Sequence, residues 1–155
     1  TRWTGRFTCL SESPLFFVDG AHNEDAALKL KVTVERYFSD YKKIFIMGVF
    51  KDKEYEKIVQ ILCPSAKRVY TVDLPNKERT LPAEKLAECV RDCMTEQLSV
   101  YAEKSIGDAV AKAYTYATED SGKRAVIACG SLSYLSEVIR CMERCVQNPQ
   151  RKERI

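Results

Sequence analysis

Hydrophobic residues along the chain alternate between short β-rich runs and longer stretches with helical spacing. The short runs carry Val, Ile, Phe and Tyr and are bounded by polar or turn residues, which is typical of strands. They predict strands at residues 7–10, 15–18, 44–49, 68–72, 100–102 and 125–129. The longer stretches, in which apolar residues recur every three or four positions, predict helices. These helices are expected at residues 24–38, 53–62, 82–94, 106–118 and 132–145.

This strand–helix alternation is typical of a mostly parallel sheet with helices on both faces. Only residues 11–14 join the first two predicted strands, and so short a connection requires an antiparallel hairpin. We therefore expect an α/β, Rossmann-like three-layer fold with a mixed sheet of about six strands and one antiparallel edge strand. No internal repeat, low-complexity tract or linker divides the sequence, so residues 1–155 are expected to form one domain.

Length and composition favour a globular domain and argue against nucleic-acid-binding and membrane-spanning proteins. A chain of 155 residues can bury a hydrophobic core without disulfide or metal support. The formal net charge of +3 comes from interspersed basic and acidic residues, which argues against a nucleic-acid partner. No apolar run is long enough to span a membrane, and no signal peptide is visible. The sequence begins at Thr1 without a methionine, which suggests a piece of a longer polypeptide.

The seven cysteines are spread through core-like sequence, which indicates reduced thiols and a cytoplasmic location. Cys89/Cys93 and Cys141/Cys145 are each four residues apart on predicted helices, so each pair shares a helix face. Four thiolates from two neighbouring helices could bind zinc, but the spacing is not that of a zinc knuckle. Because cysteine also packs well as a small apolar residue, we expect no metal site in this chain.

Three loop segments are expected at the carboxyl ends of strands, where sheets of this kind bind ligands. They are residues 19–23, 48–53 and 129–131. Asp19 could accept ribose hydroxyls or order magnesium waters, or it could be a structural residue of a capped turn. Gly20 permits a close backbone approach or a positive φ. Ser131 could cap the last helix, donate to a carboxylate, or do both.

The other candidate residues are open to plainer interpretations. Asn23 could cap the first long helix, and Asp52 could cap the second. Arg6 offers a planar donor fork that suits phosphate or carboxylate, but it could also be a surface residue. No Walker A or G-x-G-x-x-G string is present, and His22 is the only histidine. These residues alone do not make a complete active site.

In order along the chain, these segments resemble those of folylpolyglutamate synthases, which belong to the Mur ligase superfamily. The matching strings are residues 3–7, 17–23, 48–53 and 129–132, and the resemblance covers nearly the entire chain. The most specific string is Asp-Gly-Ala-His-Asn after an apolar strand, at residues 19–23. Glu24 departs from the proline that the family often has there, and Lys51 lies at a variable position. The resemblance implies the carboxy-terminal glutamate-ligase domain of a larger ligase, whose P-loop ATPase domain precedes this chain.

The resemblance also implies the chemistry. In that family a substrate carboxylate attacks the γ-phosphoryl group of ATP, and the amino group of glutamate then displaces phosphate from the acyl phosphate. By the same resemblance, Arg6 and Asp19 contact ATP, and His22 is a catalytic residue near the phosphates or the incoming glutamate. Magnesium accompanies the ATP, and its ligands lie mainly in the preceding domain.

Asn23 and Ser131 match positions expected near the carboxylates of the glutamate, and Asp52 and Lys53 match a family loop of less certain role. The implied partners are ATP, L-glutamate, folate and the preceding ATPase domain. A dihydrofolate synthase or a bifunctional enzyme would use dihydropteroate instead, and the sequence does not choose between them. A non-catalytic Rossmann-like nucleotide-binding or interaction module is a further alternative. The resemblance also suggests a monomer, and we expect the isolated domain to be inactive.

Overall fold

A computed structural model describes residues 7–93, 98–119 and 123–147, which form a six-stranded sheet between two layers of helices. The strands are β1 (Thr8–Glu12), β2 (Leu15–Val18), β3 (Lys42–Met47), β4 (Ala66–Thr71), β5 (Ser99–Ala102) and β6 (Arg124–Cys129). Their order across the sheet is β1-β2-β6-β3-β4-β5. Only β1 is antiparallel to its neighbour, which confirms the predicted mixed sheet with one antiparallel edge strand.

The helices follow the predicted order. They are α1 (Glu24–Phe38), α2 (Tyr55–Leu62), α3 (Ala83–Asp92), α4 (Ile106–Thr118) and α5 (Leu135–Gln147). The predicted bounds of α1 and α4 match the structure, because Asn23 and Ser105 cap them through their side chains. The predicted first turn of the last helix is a 3₁₀ turn, Leu132–Tyr134. None of the helices described is long and apolar enough to cross a membrane.

The sheet divides the core into two layers. Phe16, Ile44 and Ile46 point to the face that α4 and α5 cover. Phe17 and Phe45, which lie next to them along the strands, point to the face that α1, α2 and α3 cover. The central strands β2, β6 and β3 are therefore buried on both sides, as parallel strands usually are.

The two cysteine pairs lie on opposite faces of this sheet. Cys89 and Cys93 pack against the α1–α3 layer, whereas Cys141 and Cys145 are buried in the α4–α5 layer. Because the sheet separates the pairs, one zinc ion could not take all four thiolates. In residues 7–93, 98–119 and 123–147, no group of three or more His, Cys, Asp or Glu side chains could hold a metal ion.

Candidate active site

The turns that follow β2 and β6 are hydrogen-bonded to each other. The Asp19 amide donates to the Ala128 carbonyl at 2.9 Å, so the first residue after β2 still pairs with β6. Beyond the ends of these two strands, the Gly130 amide donates to the Ala21 carbonyl at 2.9 Å. Because β2 and β6 are parallel neighbours, their carboxyl ends lie at the same edge of the sheet. The segments at residues 19–23 and 129–131 are therefore one continuous rim.

The turn after β3 joins the same rim. The Gly48 amide lies 3.4 Å from the Cys129 carbonyl. At Gly130 φ is +107°, and a Cβ atom built there would lie 2.3 Å from the Gly48 carbonyl oxygen. Only glycine permits this approach, since a side chain would collide with backbone and strain φ. Among the described glycines this is the only positive φ, so Gly20 does not use the positive φ that a glycine permits.

A buried tyrosine hydrogen-bonds to the ends of both β3 and β6. The Tyr134 hydroxyl contacts the carbonyl oxygens of Ile46, at 3.0 Å, and of Cys129. Its side chain is fully buried, and that burial raises the pKa of the phenol well above its usual value. Tyr134 therefore stays protonated and donates its hydrogen to these strand-end carbonyls. Sequence reasoning did not single out Tyr134, although a tyrosine within an apolar stripe usually needs such a partner.

A cleft of about 600 Å³ opens between this rim and α1. Asp19 and His22 line it, and Phe7 and Leu132 add apolar surface. The cleft therefore combines one carboxylate, one imidazole and polar groups of α1 with an apolar wall. That composition suits a small organic ligand, which is usually held by a few polar groups in a mostly apolar pocket.

Asp19 is held in place by its own turn. Its Oδ1 atom accepts a hydrogen bond from the Ala21 amide at 2.8 Å. Partial burial raises the pKa of Asp19, and the hydrogen bond from Ala21 opposes that shift. A carboxylate with one oxygen engaged by the backbone has a fixed direction and can accept ligand hydroxyls with the other.

His22 is oriented by the same turn. Its Nδ1 atom lies 2.9 Å from the Gly20 carbonyl oxygen, which can only accept a hydrogen bond. We therefore assign the hydrogen of the neutral ring to Nδ1, which leaves the lone pair on Nε2. Since the side chain lines the cleft, Nε2 can accept a hydrogen bond or a proton there.

Asn23 and Ser131 both act as caps. The Asn23 Oδ1 atom accepts from the Ala26 amide at 2.8 Å, which caps α1 and leaves the side-chain NH₂ group to donate elsewhere. Ser131 is 3% exposed, and its hydroxyl accepts from the Ser133 amide at 3.1 Å. The capped element is the 3₁₀ turn rather than the predicted α-helix. The Ser131 hydroxyl also lies 2.8 Å from the Ser133 hydroxyl, and neither Asn23 nor Ser131 is among the residues that line the cleft.

Asp52 and Lys53 lie further out, on the exposed loop after β3. Asp52 does not cap the second helix as predicted, because α2 begins at Tyr55 and Glu54 is its N-cap residue. The Asp52 carboxylate instead lies 3.5 Å from the Arg79 guanidinium, and both side chains are largely exposed. Neither Asp52 nor Lys53 is among the residues that line the cleft. Exposed pairs of this kind contribute little to stability.

Arg6 lies outside the described residues, so its predicted contact with ATP is untested. Its neighbour Phe7 lines the cleft and stacks on Phe17, with ring centroids 4.3 Å apart. Lys29 and Thr33 also line the cleft, from α1, and the sequence analysis did not name them. Their helical spacing from the start of α1 is the signal that could have found them, since residues three or four apart share a helix face.

Comparison with known families gives one match that covers most of the chain. The family described as Mur ligase, glutamate ligase domain, matches residues 5–132. A folylpolyglutamate synthase of Lacticaseibacillus casei is 33% identical over 82 residues, which are 53% of this chain and 19% of that protein. A probable bifunctional folylpolyglutamate synthase/dihydropteroate synthase of Halobacterium salinarum is 30% identical over 136 residues, 87% of this chain and 16% of that protein.

Solved structures of similar proteins agree with the fold. A bifunctional folylpolyglutamate synthase/dihydrofolate synthase of Yersinia pestis, complexed with AMPPNP and Mn ion, aligns with a TM-score of 0.76 at 25% identity. That alignment covers 92% of this chain and 32% of the Yersinia chain. E. coli FolC in complex with DHPP and ADP aligns with a TM-score of 0.74 at 24% identity, over 94% of this chain and 32% of FolC. The chain thus spans less than a third of these solved chains.

Proposed function

Because the chain belongs to the family of Mur ligase glutamate ligase domains, we propose that it is the carboxy-terminal domain of an ATP-dependent amide ligase that adds L-glutamate to folate. The observation that carries the proposal is the hydrogen-bonded rim at the ends of β2, β6 and β3. This rim brings Asp19, His22 and Ser131 to one edge of the sheet. A single rim with one carboxylate is half of a nucleotide site, and a preceding ATPase domain supplies the other half.

The reaction proceeds in two displacements. The acceptor carboxylate attacks the γ-phosphoryl group of ATP and forms an acyl phosphate and ADP. The amino group of glutamate attacks the acyl carbon, phosphate leaves, and the amine gives up one proton as the amide forms. Most of the protein's contribution is positioning and charge stabilisation, since phosphoryl transfer needs little covalent chemistry from side chains.

Asp19 and Arg6 face the nucleotide in this proposal. Ala21 engages Oδ1 of Asp19, so Oδ2 accepts a hydroxyl hydrogen from the ribose of ATP. Arg6 adds a guanidinium to the same ligand. A divalent cation accompanies the ATP, and we propose Mg²⁺. The described residues do not provide a set of ligands for it, so we place its ligands in the preceding domain.

His22, Asn23 and Ser131 face the incoming glutamate. The Nε2 lone pair of His22 accepts the proton that the amine loses, because Nδ1 is occupied by the Gly20 carbonyl. The side-chain NH₂ group of Asn23 and the hydroxyl group of Ser131 donate to the glutamate carboxylates. Lys53 is a further cation on the exposed loop after β3, outside the cleft lining, and Asp52 orients that loop through Arg79.

Dihydropteroate is a second candidate acceptor, since the similar Yersinia protein carries both synthase names. The residues that would choose between pterin substrates belong to the preceding domain. The ligase chemistry at this rim is the same for either acceptor. The isolated chain is expected to be inactive, because half of its cleft is missing.

The test uses the longer polypeptide that carries this domain. The protein is incubated with ATP, Mg²⁺ and radiolabelled L-glutamate, together with tetrahydrofolate, dihydropteroate or no acceptor. We expect labelled glutamyl-folate and one ADP for each glutamate joined, with no label transferred when the acceptor is omitted. Product with dihydropteroate as well would identify a bifunctional enzyme. ATP turnover without labelled product on either acceptor would refute the proposal.

A further inference from the structure

A separate cavity, with a volume of about 310 Å³, lies between the β4–β5 edge of the sheet and α4. Arg68, Tyr70 and Tyr101 line it from the two strands, and Lys112 and Tyr116 line it from α4. We call it the tyrosine cavity. It lies on the α4–α5 face of the sheet, whereas the cleft at the rim opens beside α1 on the opposite face. Because small-molecule sites usually measure about 300–1,000 Å³, the tyrosine cavity suits a small ligand.

The Arg68 guanidinium packs against tyrosine rings in this cavity. It lies 3.5 Å from the centroid of the Tyr116 ring and 5.3 Å from that of the Tyr101 ring. Its Nη1 atom donates to the Tyr70 hydroxyl at 3.1 Å. A guanidinium packed on aromatic rings keeps the N–H groups at its edge for other acceptors, and their fork matches the oxygens of a carboxylate or phosphate. Arg68 is therefore a positioned anion-binding group.

The positive charge of Arg68 is not balanced by a described side chain. None of the ion pairs between described residues includes Arg68. Lys112, the other cation that lines the cavity, pairs with Glu103 at 2.7 Å, and the Glu103 side chain is only 6% exposed. Glu119 also lines the cavity, but it is exposed to solvent after the end of α4. Because partly buried charges are usually paired, the cavity is suited to one negative charge beside Arg68.

Tyr101 offers an aromatic surface next to this charge. It is 41% exposed, and its ring stacks on Tyr70 with centroids 5.5 Å apart. Planar rings pack on such a surface in offset-stacked or edge-to-face arrangements. The Tyr101 ring centroid and the Arg68 guanidinium are 5.3 Å apart, so one small molecule can contact both.

We propose that the tyrosine cavity binds a small aromatic carboxylate, whose carboxylate group pairs with Arg68 and whose ring packs on Tyr101. A carboxylate is preferred to a phosphate group, because Glu103 and Glu119 repel a second negative charge. The Tyr70 hydroxyl accepts from Arg68 and keeps its own hydrogen, which it can donate to the same carboxylate. This inference does not depend on the ligase proposal, since the cleft beside α1 is lined by other residues.

An NMR titration of the isotope-labelled chain with benzoate tests the proposal. We expect a dissociation constant on the order of 1 mM, because so small a ligand can gain little binding free energy. The backbone amides that shift should belong to β4, β5 and α4 around the cavity. Cyclohexanecarboxylate keeps the charge without the planar ring, and benzamide keeps the ring without the charge, so each should bind at least about fivefold more weakly. Phenyl phosphate should also bind more weakly than benzoate.

Substitutions of the two anchoring residues locate the site. Arg68→Lys keeps the charge but loses the planar fork, and it should weaken benzoate binding about tenfold. Arg36→Lys is the matched control, because Arg36 is exposed on α1 beyond the opposite face of the sheet. Tyr101→Leu should weaken binding about threefold or more, whereas Tyr101→Phe keeps the ring and should bind like the wild type. The dispersion of the same NMR spectra verifies that each variant is folded.

Three results would overturn the proposal. Benzoate could shift none of these amides at about tenfold the expected dissociation constant. The shifts could instead fall at the cleft beside α1. Folded Arg68→Lys and Tyr101→Leu variants could bind benzoate as tightly as the wild type. Equal binding of cyclohexanecarboxylate, or tighter binding of phenyl phosphate, would contradict the proposed class of ligand.

Discussion

At the scale of single residues, the rim depends on a position that has no side chain. Gly130 has a φ of +107° and brings its Cα close to the Gly48 carbonyl. This contact packs the turn after β6 against the turn after β3. The Gly130 amide also donates to the Ala21 carbonyl, which holds the turn after β2 next to them. The sequence string Gly-Ser is too common to predict such a contact, which depends on three strands that are distant in sequence.

Replacing Gly130 with alanine should therefore damage both the fold and the site. The new Cβ would lie 2.3 Å from a backbone oxygen, and the residue would also be strained at positive φ. We expect Gly130→Ala to lower the free energy of unfolding by at least about 1–3 kcal/mol. Urea denaturation followed by circular dichroism measures this change.

Gly107 is the matched control, because it lies within α4 and an added Cβ would lie 3.8 Å from the side chains of Cys141 and Ser105, which is an ordinary contact. Gly107→Ala should raise stability by about 0.4–1 kcal/mol, since alanine restricts the unfolded chain more than glycine does. Equal effects of the two substitutions would show that the Gly48 contact does not constrain the rim.

Asp19 is a residue whose environment opposes its charged form. Its pKa is raised by burial, so the folded protein binds this proton more tightly than the unfolded chain does. The ionised carboxylate therefore lowers stability at neutral pH, and this cost disappears as pH falls to the unfolded pKa near 3.8. A residue that lowers stability in this way is more simply explained by a ligand than by the fold.

At the scale of secondary-structure elements, helix starts were predictable where a side chain caps them. Asn23 caps α1 and Ser105 caps α4, and both helices begin where the sequence indicates. The start of α2 was predicted two residues too early. Aspartate is a common N-cap residue, but α2 begins at Tyr55 with Glu54 as its N-cap residue, so Asp52 does not cap it. Its carboxylate lies near Arg79 instead, a contact between loops 27 residues apart that no local pattern reveals.

Substitutions of Asn23 test whether this helix-capping residue also binds the glutamate substrate. Asn23→Ala should lower the free energy of unfolding by about 0.5–2 kcal/mol, because the Ala26 amide loses its acceptor. Asn23→Asp keeps that acceptor but loses the NH₂ group, so stability should stay near the wild-type value. If the NH₂ group binds glutamate, only the KM for glutamate should rise in the aspartate variant of the full polypeptide. An unchanged KM would leave Asn23 as a helix cap alone.

The sheet shows how far the sequence predicted the elements around the site. The alternation of strands and helices, together with the short connection at residues 11–14, predicted the mixed sheet and its antiparallel edge. The strand order was not predictable in this way, because it depends on how the strands pack. That order places β6 between β2 and β3, and so brings together the segments at residues 19–23, 48–53 and 129–131. Tyr134 was missed for the same reason, since its partners are strand ends that only packing brings near.

At the scale of the whole molecule, the chain has a core covered on both faces and, in our proposal, half of a ligand site. Both faces of the sheet are covered by helices, and the central strands β2, β6 and β3 are buried after their first residues. The cleft, by contrast, is open, and its charged or titratable lining residues are Asp19, His22 and Lys29. The chain spans 32% of the Yersinia and E. coli chains that it resembles. These observations fit a domain that folds by itself and closes over a nucleotide held by a neighbour.

Substitution of Asp19 in the full polypeptide separates a binding role from a structural one. The amide of Asp19→Asn keeps the hydrogen bond from Ala21 but removes the charge that accepts the ribose hydroxyl. Asp40→Asn is the control, because Asp40 pairs with Lys123, next to the amino end of β6 and away from the cleft. We expect Asp19→Asn to lower the rate of ATP-driven glutamate ligation about hundredfold or more while its melting temperature at pH 7 does not fall. A wild-type rate in a folded Asp19→Asn protein would contradict the assignment of this rim to the nucleotide.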